Sequence, residues 1–125
     1  PRASLAPALS EVRSMIEAKG YLLNFPVEVR FTAADDIPLS TAHERETAYI
    51  AVHVFKGMEF EPFFRDVEAI LKRYGSRPHW GKLHYRDSVD LAQQYRRFDE
   101  FVALRGRLDP DRVFHNAYLQ QIFGD

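Results

Sequence analysis

The chain has no cysteine among its 125 residues, so it contains no disulfide and no thiolate metal site, a composition that fits the cytosol. It has no excess of charge of one sign either. Its 17 basic and 18 acidic side chains leave a formal net charge of −1, which offers no electrostatic footprint for nucleic acid or an anionic membrane. No apolar run reaches membrane-spanning length, and the first residues lack the basic-then-apolar layout of a signal peptide. No internal repeat, low-complexity tract or flexible linker interrupts it. What is present is 46% hydrophobic and 14% aromatic, a globular composition in a length that supports one domain and one modest core.

Leu5, Leu9, Val12 and Ile16 recur on one helical stripe, and Gly20 offers the stop. Phe25, Val27, Val29 and Phe31 alternate with polar residues, which predicts a strand over 24–32 with one apolar and one polar face; Pro26 sits near its start, where a strand tolerates it. A polar connection containing Asp35-Asp36 and Ser40-Thr41 leads to a second predicted strand, Tyr49 to Phe55, closed by Lys56-Gly57. Pro62 suits a first helical turn, after which Phe63, Val67, Ile70 and Tyr74 keep helical spacing up to Gly75. Leu91, Tyr95, Phe98 and Val102 trace one further helix, from a cap at Asp87 or Ser88 to a stop at Gly106. Asp109-Pro110 reads as the cap and first position of a short terminal helix carrying Val113, Phe114, Tyr118, Leu119 and Phe123. The expected class is α+β, an antiparallel sheet flanked by helices. Two strands make only a marginal sheet, so the chain is expected to complete a larger sheet formed elsewhere.

Polar chemistry concentrates in three places. Glu28 and Arg30 project from the same face of the first strand, where they either pair, face a ligand together, or form a solvated outer face. If the two strands share a sheet, His53 joins them on that face, as a structural hydrogen bonder or as a base. The least ordinary segment is Ser76-Arg77-Pro78-His79-Trp80-Gly81-Lys82-Leu83-His84-Tyr85. Pro78 biases Arg77 toward an extended backbone, Gly81 permits close approach of another surface, and Trp80 adds a large flat face. Such a loop either presents Lys82 as a fixed cation or plugs a helix junction. His79 and His84 lie five apart, not at one-turn spacing, and have no acidic or thiol neighbour, so no metal site is expected.

Three stretches together resemble one family. Phe25-Pro26-Val27-Glu28-Val29-Arg30-Phe31-Thr32-Ala33-Ala34-Asp35-Asp36, Arg77-Pro78-His79-Trp80-Gly81-Lys82, and Leu108-Asp109-Pro110 with Phe114-His115-Asn116-Ala117-Tyr118-Leu119 look, in that order, like the C-terminal part of the sugar-1,4-lactone oxidases and dehydrogenases and the related alditol oxidases. The resemblance implies a two-domain flavoenzyme of the vanillyl-alcohol oxidase type. FAD would be bound mainly by an N-terminal domain that nothing here resembles. Residues 1–107 would be the C-terminal portion of the substrate (cap) domain, and 108–125 a tail packing toward the FAD-binding domain. By the same resemblance Glu28, Arg30 and Lys82 contact substrate hydroxyls beside the flavin. His53 falls near a histidine proposed as a base, Trp80, Gly81 and His79 with Lys82 shape the loop against the ring, and Asn116 caps the last helix. The implied partners are the N-terminal FAD domain, a sugar lactone or polyol, and oxygen or another electron acceptor, with no nucleic acid. The implied setting is cytoplasmic or membrane-associated. A polyol oxidase of the same family and a non-catalytic sugar-binding module are the alternatives.

Overall fold

The computed structural model describes residues 1–124; Asp125, the last residue of the expected tail, lies outside the described residues. After a short 3-10 turn at Arg2–Ser4 the elements run α1 (Leu5–Lys19), β1 (Glu28–Thr32), β2 (Thr47–Ala51), α2 (Glu61–Arg73), α3 (Ser88–Gln94), α4 (Phe98–Leu108) and α5 (Ala117–Phe123). The fold is α+β, with one two-stranded antiparallel sheet among the described residues.

Helix α1 ends where Gly20 takes φ +67°, a left-handed conformation that costs glycine nothing. Its Val12 packs with Phe63, Val67 and Ile70 of α2 to form a first core, and Val52 and Val54 close that core from beyond β2. Asp66 ties the two helices at their polar margin, accepting from Lys19 Nζ at 2.7 Å and Tyr21 Oη at 2.6 Å. A second core gathers Leu91, Tyr95, Phe98 and Ile122 from α3, the α3–α4 junction and α5, with Trp80 packed against them.

The strands are shorter and displaced relative to expectation. In the observed register Glu28 faces Ala51, Val29 faces Ile50 and Arg30 faces Tyr49. Continued outward, that register would set Pro26 against His53. Pro26 has no N–H to donate, so the ladder stops at Glu28 and Ala51 and leaves His53 beyond the sheet. The predicted apolar face is also only partly covered, since Phe31 remains 56% exposed, with the Arg2 guanidinium 5.2 Å from its ring centroid.

The single helix expected over 88–105 is two. The backbone of Tyr95 is extended (φ −118°, ψ 107°), and the carbonyl of Gln94, which would continue the helix, instead accepts from Arg77 Nε at 3.0 Å. Gly106 does not stop α4, which runs on to Leu108 and ends before Asp109-Pro110, as the restriction that proline places on its predecessor requires. Asp109 caps a turn, accepting from the N–H groups of Val113 (2.7 Å) and Phe114 (3.0 Å). The last helix therefore starts later than Pro110, at Ala117, with Asn116 Oδ1 accepting from Leu119 N at 2.9 Å as its cap.

Candidate functional site

Between α1, the sheet, α2 and the loop that follows α2 lies a cleft of about 870 Å³, a size that holds a small molecule. Glu28, Arg30, His53, His79 and Lys82 all line it. These five come from β1, from the chain just past β2 and from the decapeptide loop, so three separate stretches of sequence converge on one cavity. Ile50 and Val52 add apolar wall.

The same-face spacing of Glu28 and Arg30 is realised as an ion pair, with Arg30 Nε donating to Glu28 Oε1. Both side chains are partly in water, so the pair adds little to stability. The pair leaves Glu28 Oε2 and the terminal nitrogens of Arg30 without a partner among the described residues. His53 stays exposed at the end of the strand pair, its ring 5.7 Å from that of Phe25.

In the loop, Lys82 N donates to the His79 carbonyl at 3.0 Å, closing a turn, and Gly81 N donates to His79 Nδ1 at 3.1 Å. The Lys82 ammonium has no partner among the described residues. A Cβ on Gly81 would meet only the His79 ring, at 3.5 Å, so nothing among the described residues demands glycine there. Trp80 turns the other way and does not line the cleft. Its ring stacks on Tyr95 (centroids 5.1 Å apart) and on Phe123 (6.4 Å), and its Nε1–H donates to the Leu39 carbonyl at 2.8 Å. Leu39 holds φ +61° to present that carbonyl, a conformation disfavoured for a branched side chain. The loop thus does both things its sequence allowed: Trp80 plugs a helix junction while Lys82 stands out toward the cleft.

Sequence reasoning missed the supports beneath this loop. Arg77 Nη1 donates to the carbonyls of His43 (2.9 Å) and Thr41 (3.3 Å) while Nε holds Gln94. Arg45 Nη1 donates to the Gly75 carbonyl at 2.8 Å; burial first, and then the charge of Arg77, pull its pKa down to about 10. Arg86, 2% exposed, donates to Ser76 Oγ at 2.9 Å and lies 3.7 Å from Glu68, whose carboxylate also accepts from Tyr85 N at 2.9 Å. His84 Nδ1 accepts from Arg86 N (3.3 Å), which places the proton of the neutral ring on Nε2, 2.9 Å from Tyr118 Oη. Burial lowers the His84 pKa, helped by the charge of Arg86 and opposed by Glu68. None of these contacts has a spacing signature; the only sequence hint was the density of Arg, His and Tyr around the loop.

A family model for D-arabinono-1,4-lactone oxidase matches residues 1–122. Similar proteins include an L-gulono-1,4-lactone dehydrogenase of Mycobacterium tuberculosis, 49% identical over 99% of this chain. The L-gulonolactone oxidase of Bos taurus is 38% identical over 98% of it, and an alditol oxidase of Streptomyces sp. is 33% identical over 98%. Each match covers 29% of the relative, so this α+β unit corresponds to part of a longer protein. With the match running from its first residue through both cores and the whole cleft, the chain belongs to the D-arabinono-1,4-lactone oxidase family, oxidoreductases that act on sugar lactones.

Proposed function

We propose that this chain is the C-terminal substrate-domain segment of an FAD-dependent oxidoreductase that oxidises a sugar 1,4-lactone, of the L-gulono-, L-galactono- or D-arabinono- type, by hydride transfer to flavin N5. The observation that carries this reading is the convergence of Glu28, Arg30, His53, His79 and Lys82 on one cleft. Family membership adds the lactone, and the 49% identity to a gulonolactone dehydrogenase favours it over the polyol of the more distant alditol oxidase.

Oxidising a carbinol removes a hydride from carbon and a proton from its oxygen, leaving a carbonyl. The residues present suit a flavin at the open side of this cleft, because the Lys82 ammonium, with no partner among the described residues, and the His79 ring lie together on the loop. When bound, FAD supplies the hydride acceptor. Lys82 and His79 are the side chains that would lie against it, with the Gly81 backbone between them; most of the cofactor would be held by residues outside this chain. Trp80 acts from behind, as the anchor of the loop. Arg30 and Lys82 orient the reacting hydroxyl and stabilise negative charge growing on its oxygen. Glu28 accepts from a neighbouring substrate hydroxyl through Oε2 and holds Arg30 in place. His53 takes the hydroxyl proton. The tail from 108 onward packs toward the FAD-binding domain, a role suited to the exposed Leu108, Val113 and Phe114.

Lys82→Ala in the full-length, FAD-loaded enzyme tests the site. Loss of one preorganised charge-stabilising donor slows reduction of the flavin by saturating lactone by about 10²-fold or more. An unchanged rate in stopped-flow would remove Lys82 from the mechanism.

A further inference from the structure

The two residues that flank Lys82 at a distance of two on either side, Trp80 and His84, are held by one atom. Tyr118 Oη donates to the Trp80 carbonyl at 2.6 Å and lies 2.9 Å from His84 Nε2, which carries the proton and donates to it. A phenol can serve both contacts at once because its oxygen accepts while its hydrogen donates. The direction is set from the far end of the chain of bonds, since Arg86 N–H already occupies His84 Nδ1. The result is an unbroken relay, Arg86 N–H to His84, His84 to Tyr118, and Tyr118 to Trp80, that closes the segment 80–84 into a staple with Lys82 at its middle.

Tyr118 is itself fixed. It lies in α5, whose start is capped by Asn116 and whose Ile122 is buried in the second core. Gln121 Nε2 donates to the Arg86 carbonyl at 2.8 Å, so α5 grips the loop a second time, one helical turn on. At the end of α5, Gly124 comes so close to Ser88 that a Cβ there would lie 2.8 Å from its Oγ. Lys82, by contrast, has no side-chain partner of its own among the described residues. Whatever fixes the position of its ammonium must act through the chain around it, and Tyr118 holds that chain on both sides, by the Trp80 carbonyl before it and the His84 ring after it.

We infer that Tyr118 is the positioning residue for Lys82: its hydroxyl staples Trp80 to His84 and so sets where the loop delivers the ammonium in the cleft. This rests on the role proposed for Lys82 above, and the test separates the two. The variant is Tyr118→Phe in the full-length enzyme, which keeps the ring against its T-shaped partner His84 and removes only the hydroxyl. The first readout is hydrogen exchange of the peptide covering 79–85. The Lys82 amide is bonded to the His79 carbonyl within the stapled turn, so exchange there rises by roughly tenfold while α1 and α2 keep their protection. The second is flavin reduction by saturating lactone in a double-mutant cycle with Lys82→Ala. Tyr118→Phe slows reduction by about tenfold when Lys82 is present and has little further effect when it is absent, because the two act as one unit. Unchanged exchange over 79–85 overturns the staple. A Tyr118→Phe effect that is equally large with and without Lys82 overturns its action through Lys82. A Lys82→Ala enzyme that reduces its flavin at the normal rate overturns the role of Lys82, and with it the catalytic meaning of the staple, whereas exchange still reports whether the staple exists.

Discussion

His84 is a neutral hydrogen-bonding ring whose protonation would break the structure around it. Its Nδ1 must remain an acceptor for Arg86 N, and a charged ring has no acceptor to offer. Burial, the largest cause, and the nearby Arg86 guanidinium place its pKa in the folded state below the ordinary 6.5, against the opposing pull of Glu68. Between those two values the unfolded chain binds more protons than the folded one, so stability rises with pH. The contribution is complete above pH 6.5 and is lost as pH falls through the folded-state pKa. Thermal midpoints of the complete protein should therefore drop as pH is lowered below 6.5, and His84→Gln should flatten that slope. An unaltered slope in the variant would mean that another group titrates. Asp66, held low by its bonds from Lys19 and Tyr21, adds its own loss only in more acidic solution.

At the scale of elements, Arg77 decides where helices end. By taking the carbonyls of Gln94, His43 and Thr41 it breaks the α3–α4 stripe at Tyr95 and ties the loop before β2 to the loop before α3. Arg77→Met would leave those carbonyls short of a donor beneath the buried Tyr95 ring, 5.0 Å from the guanidinium. The expected cost is roughly 2–4 kcal/mol of stability, read from urea unfolding of the full-length protein. A change below about 0.5 kcal/mol would show that water replaces the guanidinium without loss. The amphipathic stripes of α1 and α2 were legible because local periodicity and a terminal glycine define them, and their tertiary partners agree. The break at Tyr95 was not, because residues 91, 95, 98 and 102 keep helical spacing on both sides of it and the competing donor comes from Arg77, distant in sequence. Strand ends failed for a related reason. The alternation of 25–31 continues through Pro26, but a ladder needs hydrogen bonds as well as a pattern, and Pro26 cannot give one.

For the whole molecule, the two cores and the cleft divide the work. The first core, α1 with α2, forms one wall; the second, α3 to α5 with Trp80, holds the loop that carries Lys82. The shared face of Glu28 and Arg30 was legible from strand parity, and His79 and Lys82 were singled out by the family resemblance, whereas His53 lines the cleft from past the end of β2 and not from the strand face that parity gave it. The inward turn of Trp80 and the staple through Tyr118 were not, since each depends on a contact across more than thirty residues. A face of the sheet remains uncovered at Phe31 and the cleft is not fully enclosed, as suits a unit that spans 29% of its relatives. The most direct measurement is anaerobic: the full-length protein, purified with its flavin, is mixed with L-gulono-1,4-lactone and the absorbance of the oxidised flavin is followed. Bleaching is the predicted result, with the return of colour on readmitting air reporting whether oxygen is the acceptor. Persistent colour with the L-gulono-, L-galactono- and D-arabinono-lactones, or a protein that folds without flavin, would contradict the assignment.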